Sequence, residues 1–150
     1  FAAVGCMSFY LLMTPVNTYS PIPIMEVHGF LDQVVLYESS VLSVPTNPGA
    51  WTDPEAIQTG AIENLYEWAD LNSCTGLTPD YNDQQPLYSV QGFSNCENNS
   101  QVRLVTIFGA QHNPYAKDYP GEGPGMLLPG TQGLVQSSYI VWDFLSQFSK

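Results

Sequence analysis

Val102-Arg103-Leu104-Val105-Thr106-Ile107-Phe108-Gly109 decides the reading of this chain, because a β-branched apolar run closed by a glycine is a buried strand with a turn behind it. Gln111-His112-Asn113 comes directly after it. Working outward, Ile22-Pro23-Ile24-Met25-Glu26-Val27-His28-Gly29 reads as a second strand, its prolines at the start where no ladder hydrogen bond is lost. Ala2 to Leu12 is nearly continuous in apolar residues and reads as a third strand buried on both faces, with a helix segment as the alternative. Thr52-Asp53-Pro54-Glu55 predicts a helix start, with Asp53 as N-cap, Pro54 in the first turn and Glu55 at the positive end of the dipole. Ile57, Ala61, Leu65 and Trp68 then form one apolar stripe. Residues 72–100 are rich in Asn, Asp, Pro and Gly and read as an irregular excursion. A final amphipathic helix carries Leu134, Ser138, Val141, Trp142, Leu145 and Phe148 on one side. Strands alternating with helices predict an α/β layer, a mostly parallel sheet with flanking helices.

Composition narrows the function. The 150 residues contain 3 Lys+Arg against 14 Asp+Glu, a net charge of −11, and Arg103, Lys117 and Lys150 are too scattered to form a basic face. Nucleic acid is therefore excluded as a partner. With 44% hydrophobic and 11% charged residues the chain has the material for a packed core, and its length fits one domain. No apolar run approaches the ~20 residues of a spanning helix. Cys6, Cys74 and Cys96 lack the short spacing of a zinc or redox site, so no metal is expected. The sequon Asn98-Asn99-Ser100 and the scarcity of lysine favour a secreted, glycosylated protein in an oxidising setting. There Cys74 and Cys96 could bridge the polar segment between them, leaving Cys6 buried and free or bonded elsewhere. Phe1-Ala2-Ala3-Val4-Gly5 has neither an initiator Met nor the basic start of a signal peptide, and the chain is expected to begin inside a longer protein.

In a parallel α/β sheet, ligands bind beyond the carboxyl ends of the strands. His28-Gly29-Phe30-Leu31-Asp32 follows one such end and Gly109-Ala110-Gln111-His112 another. Imidazole exchanges a proton near neutrality, which suits His112 as a general base. Asp32 would hold the proton on the other ring nitrogen and stabilise the imidazolium. His28 reads as structural, bonding within the loop that presents Asp32. Glu63 and Glu67, one helical turn apart, read as solvated surface, and Trp51, Trp68 and Trp142 as core or rim rather than a sugar-stacking platform.

The segment Pro23-Ile24-Met25-Glu26-Val27-His28-Gly29-Phe30-Leu31-Asp32-Gln33-Val34-Val35-Leu36-Tyr37 resembles the acid-bearing part of secreted esterases related to feruloyl esterases, acetylxylan esterases and polyhydroxybutyrate depolymerases. Later pieces agree in order: a Trp-containing helix running into Asn72-Ser73-Cys74, a second Cys, a strand into Gly109 and His112, and a helix with Val141-Trp142-Asp143-Phe144-Leu145. The resemblance implies the C-terminal half of an α/β-hydrolase fold with the nucleophile-bearing half absent. It further implies Asp32 and His112 as acid and base of a Ser-Asp-His triad, a Cys74–Cys96 disulfide and no cofactor. The family commonly has an aromatic two residues after the histidine, whereas Tyr115 stands three after it. No G-x-S-x-G elbow occurs, since Gly92-Phe93-Ser94-Asn95-Cys96 lacks the second glycine.

The expected partners are an ester substrate, of plant cell-wall or polyester origin, and the N-terminal half of the same hydrolase domain. The loop from Asn113 to Gly130 would wall the substrate site, with Tyr115 and Tyr119 as contacts. The competing reading is a non-catalytic hydrolase-like subunit of an extracellular assembly; a carbohydrate-binding module fits the α/β pattern less well.

Overall fold

Every residue from Ile24 to Gly29 and from Val102 to Ile107 is buried, so both segments must be interior strands of a sheet covered on both faces. A computed structural model of the protein, describing residues 1–8, 18–32, 35–38, 60–112, 115 and 135–148, places them side by side. The described elements are β1 (Val4–Met7), β2 (Ile24–Gly29), α1 (Ala61–Leu71), β3 (Tyr81–Gln84), β4 (Tyr88–Phe93), β5 (Val102–Ile107) and α2 (Ser137–Leu145). The sheet order is β1-β2-β5-β4-β3. β1, β2 and β5 run parallel, with Val4 opposite Ile24 and Gly29 opposite Ile107.

The sheet is mixed, which corrects the expectation of a mostly parallel one: β4 pairs antiparallel with β5, and β3 antiparallel with β4. Residues 72–100 are therefore not wholly irregular, because they contain this hairpin. Its outer strand, Tyr81-Asn82-Asp83-Gln84, is polar and mostly exposed, and an edge strand facing water needs no apolar alternation. Arg103 anchors the hairpin instead. Its guanidinium donates to the Phe93 carbonyl at 2.8 Å, to Ser94 Oγ at 2.9 Å and to Gln101 Oε1 at 2.8 Å, and lies 4.0 Å from the centre of the Tyr81 ring. Gly92 permits the approach, since a Cβ there would meet the Val102 carbonyl oxygen at 2.0 Å.

Helices cover the two faces. On one, Ala61, Leu65 and Ala69 of α1 pack with Phe93, Val102, Leu104 and Tyr37. On the other, Val141 and Phe144 of α2 pack on Met25, Val27, Val105 and Ile107. The helix start expected at Asp53 to Glu55, together with Ile57 and Trp51, lies outside the described residues. As described, α1 opens after Gly60, whose N–H donates to the Glu63 carboxylate at 3.1 Å, one half of a capping box, since glycine has no side chain to return the bond. The expected stripe of Ala61 and Leu65 faces the sheet, Trp68 is half-buried, and Asn64 joins them fully buried.

The α2 face differs from expectation. Ser137, Val141 and Phe144 are buried, Ser138 is exposed and Trp142 is 65% exposed. Val141 and Trp142 are neighbours, so a stripe can be drawn through either, and the sheet takes the smaller side chain where Gly5 leaves room for it. Leu134 lies outside the described residues, as does the part of the first expected strand beyond Ser8.

A disulfide joins Cys74, just after α1, to Cys96, just after β4, across a sequence separation of 22. Thr75 N–H donates to the Asn95 carbonyl at 2.8 Å beside it. Cross-links of this span stabilise chiefly by restricting the unfolded chain. Replacing both cysteines by serine is expected to lower the unfolding free energy by about 2–4 kcal/mol, read as a fall in the denaturant midpoint. An unchanged midpoint would show the bridge to be idle.

Candidate active site

Parallel pairing of β2 with β5, Gly29 opposite Ile107, brings the segments that follow the two strands to one edge of the sheet. They are stitched together by main-chain bonds, from Phe30 N–H to the Ile107 carbonyl at 3.0 Å and from Leu31 N–H to the Ala110 carbonyl at 2.9 Å. The crossing is so close that a Cβ on Gly29 would lie 2.5 Å from the Ala110 carbonyl oxygen. Gly109, at φ +71°, makes the turn that sends the chain back toward β2.

Asp32 and His112 meet there. His112 Nδ1 lies 3.0 Å from Asp32 Oδ2, with the carboxylate side chain 0% exposed and the imidazole 28% exposed. The other carboxylate oxygen, Oδ1, accepts the Val35 N–H at 2.8 Å. A buried carboxylate facing Nδ1 fixes that nitrogen as the proton carrier, which leaves Nε2 to accept a proton. The pair has the geometry of an oriented general base: the acid sealed, the base reachable.

Tyr115 and Ser8 complete the cluster. The Tyr115 phenol receives hydrogen bonds from Ser8 Oγ at 2.5 Å and from Gly29 N–H at 2.8 Å, and donates to Asp32 Oδ2 at 3.3 Å. Burial pushes the phenol well above its ordinary range, so it remains a donor. Its carbonyl also accepts the Ser137 N–H at 3.1 Å, tying the cluster to the start of α2. Both residues adopt left-handed backbone, Ser8 at φ +54° and Tyr115 at φ +48°. Such conformations cost about 1–3 kcal/mol each in a residue with a side chain, and they persist where surrounding contacts impose them.

A second polar layer lies beneath Asp32 on the α1 face. Glu26 and His28, alternate residues of β2, are both buried. Asn64 of α1 donates its amide to Glu26 Oε2, His28 Nδ1 is 3.5 Å from Glu26 Oε1, and His28 Nε2 bonds the Val35 carbonyl at 2.7 Å. The expectation that His28 bonds within the Asp32 loop matches this contact. Glu26, Asn64 and Ser8 were not singled out from the sequence. A glutamate inside a strand otherwise buried on both faces was the available signal, because an ionisable residue enters such a strand only with partners.

Of the remaining expected site residues, Tyr115 is completely buried with its hydroxyl engaged as above, and Tyr119 lies outside the described residues. Cys74 and Cys96 are bonded to each other, and Cys6 is a free thiol on β1. Asn98 is exposed, in a 3₁₀ turn (Glu97–Asn99) that precedes β5 and so lies toward the opposite end of the sheet from His112. Phe30 and Leu31, beside Asp32, are 47% and 48% exposed apolar residues. Among the described residues no group of three His, Cys, Asp or Glu is arranged to hold a metal ion, and no helix is long and apolar enough to cross a membrane.

No family model matches the chain. A feruloyl esterase B of Piromyces equi is 31% identical over 129 residues, which make up 86% of this chain. The chain spans 18% of that protein's length. The likeness is distant, and it is to an esterase.

The cluster around Asp32 yields a direct expectation. Tyr115→Phe keeps the ring but takes from the buried Gly29 N–H the phenolic oxygen it donates to, and should lower stability by about 1–3 kcal/mol in chemical unfolding. A change within about 0.5 kcal/mol, the range of ordinary surface substitutions, would show that the hydroxyl does not brace the site.

Proposed function

We propose that the chain carries the acid and base of a serine-type carboxylic-ester hydrolase, as the C-terminal portion of a single α/β-hydrolase domain. The observation that carries this reading is the 3.0 Å contact between a reachable His112 and a sealed Asp32 at the carboxyl ends of adjacent parallel strands. The likeness to a feruloyl esterase supports the same chemistry. In this reading the nucleophilic serine and the oxyanion-hole donors come from a part of the domain outside these residues, and that part pairs with β1, the outermost of the described parallel strands.

The reaction follows from the geometry. The serine oxygen attacks the ester carbonyl while His112 Nε2 takes the hydroxyl proton, and Asp32 stabilises the imidazolium through Nδ1–H. Collapse of the tetrahedral intermediate breaks the bond to the alcohol oxygen, which receives that proton from His112. Water then attacks the acyl-enzyme, again losing its proton to His112, and the acid leaves as the serine recovers its hydrogen. The sequence of steps needs neither metal nor organic cofactor. Esters of feruloyl type are the first substrates to try, with acetyl and polyester linkages next. Phe30 and Leu31 offer apolar surface beside the pair. Tyr115 orients Asp32 rather than touching substrate, and Tyr119 remains a proposed contact. A secreted protein, glycosylated at Asn98 and closed by its disulfide, fits this role.

The test uses the polypeptide that joins this chain to its nucleophile-bearing segment, assayed on methyl ferulate and on a small aryl acetate. His112→Ala should abolish turnover, and Asp32→Asn should lower kcat by about 10⁴, because the amide selects the wrong imidazole tautomer. Undiminished hydrolysis by His112→Ala would remove the pair from the chemistry. Absence of hydrolysis in the unaltered polypeptide would favour a non-catalytic subunit.

A further inference from the structure

The buried layer under Asp32 has a proton inventory that its hydrogen bonds constrain. A carbonyl only accepts, so the 2.7 Å contact between His28 Nε2 and the Val35 oxygen requires a proton on Nε2. The same N–H also faces Asp32 Oδ2 at 3.6 Å. On the far side of the ring, Nδ1 faces Glu26 Oε1 at 3.5 Å. A neutral ring there would point a lone pair at a carboxylate, so a second proton must lie between them. It belongs either to an imidazolium opposite a carboxylate or to a carboxylic acid opposite a neutral ring. Burial raises the Glu26 carboxyl and works against the ionic form; two features favour it: Asn64 donates its amide to the other Glu26 oxygen, and the Asp32 carboxylate stands on the opposite side of the ring.

We infer that His28 is a positioning residue of the site, an imidazolium braced between the Glu26 and Asp32 carboxylates that keeps Asp32 ionised and turned toward His112. The role in catalysis rests on reading Asp32 and His112 as acid and base. The bracing is mechanical as well as electrostatic. His28 holds the Val35 carbonyl, and Val35 N–H holds Asp32 Oδ1 at 2.8 Å, so one residue receives from the ring and gives to the acid.

The surrounding groups leave the charge on His28. Burial by itself lowers its basicity, but the approach of Glu26, the bond to the Val35 carbonyl and the charges of Glu26 and Asp32 outweigh that and leave it raised. Cys6, across from Glu26 on β1, is pushed by burial up to about 12 and stays a neutral thiol. Tyr37 presents its ring edge at 6.0 Å, with its hydroxyl on Thr106 of β5, and burial raises it too. Glu38 and, on α1, Glu63 add negative charge around Tyr37. A cation beneath Asp32 draws negative potential away from His112.

His28 and His112 are the chain's only histidines, so a ¹⁵N-histidine NMR titration of the whole chain reads two rings and nothing else. In the unaltered protein both ring nitrogens of His28 should show protonated-type shifts across the whole range in which His112 titrates. A His28 ring with an unprotonated Nδ1 would overturn the inference outright, without any variant. The paired substitution His28→Gln with Glu26→Gln keeps amide donors and acceptors but removes both charges. It should raise the His112 midpoint by about half to one pH unit, since the lost cation faces Asp32 at 3.6 Å while the lost anion lies on the far side of the His28 ring. The acid limb of kcat/KM should move by the same amount in the nucleophile-bearing polypeptide. An unmoved midpoint in the folded pair variant would also overturn the inference. The NMR outcomes do not depend on turnover, so an absence of esterase activity would refute the hydrolase reading while leaving the state of His28 decided.

Discussion

An ionised carboxylate without solvent is tolerable only where donors converge on it, and Asp32 is the point on which this fold converges. Val35 N–H reaches it from its own loop, and His112 Nδ1 and the Tyr115 phenol from the segment that follows β5. That convergence depends on the parallel register of β2 and β5, which sets Gly29 opposite Ile107. A slip of one residue would turn Glu26 and His28 onto the α2 face and move the Asp32 loop off the Ala110 carbonyl. Register, burial and site geometry are thus one constraint seen at three scales.

The two faces of the sheet do different work. Toward α2 the strands present an apolar layer of Met25, Val27, Val105 and Ile107, an ordinary core. Toward α1 the carboxyl half of β2 presents Glu26 and His28 instead, and α1 answers with Asn64 rather than another aliphatic residue. The apolar part of that face lies farther along the sheet, around Leu65, Phe93 and Leu104. A polar layer of this kind is costly unless its members are satisfied, and it fixes orientation in a way that interchangeable aliphatic side chains cannot. Left-handed backbone at Ser8 and Tyr115 points the same way, because strain gathers where several contacts must be met at once.

Much of this was legible in the sequence. The strands ending at Gly29 and Ile107 announce themselves by β-branched runs, and an Asp and a His just beyond adjacent strand ends are a pattern the sheet topology alone makes meaningful. The hairpin was not legible, because Tyr81-Asn82-Asp83-Gln84 pairs through its backbone and shows water a polar surface. Its anchor, Arg103, looks from the sequence like a stray charge in an apolar strand. The buried face of α2 was misjudged for a different reason: Val141 and Trp142 are adjacent and both apolar, and only the space left by Gly5 chooses between them. Tyr115 read as a loop aromatic because nothing local reveals that its hydroxyl reaches Ser8 after β1 and both Gly29 and Asp32 at the end of β2.

The charge of the whole chain gives the buried layer its logic. With 3 Lys+Arg against 14 Asp+Glu, cations are scarce, and Arg103 is committed to the β3–β4 hairpin. Among the described residues the buried carboxylates are Glu26 and Asp32, and the only two imidazoles in the sequence lie against them. In a chain so acidic, a buried carboxylate finds no lysine or arginine to neutralise it and must be balanced by a group whose charge is conditional. Histidine supplies that condition: His28 is enclosed between two carboxylates, while His112 faces one and is open on its other side. Two residues of one type are thereby set apart by the carboxylates around each ring, which at His28 act against burial, since burial by itself would take the charge off the ring.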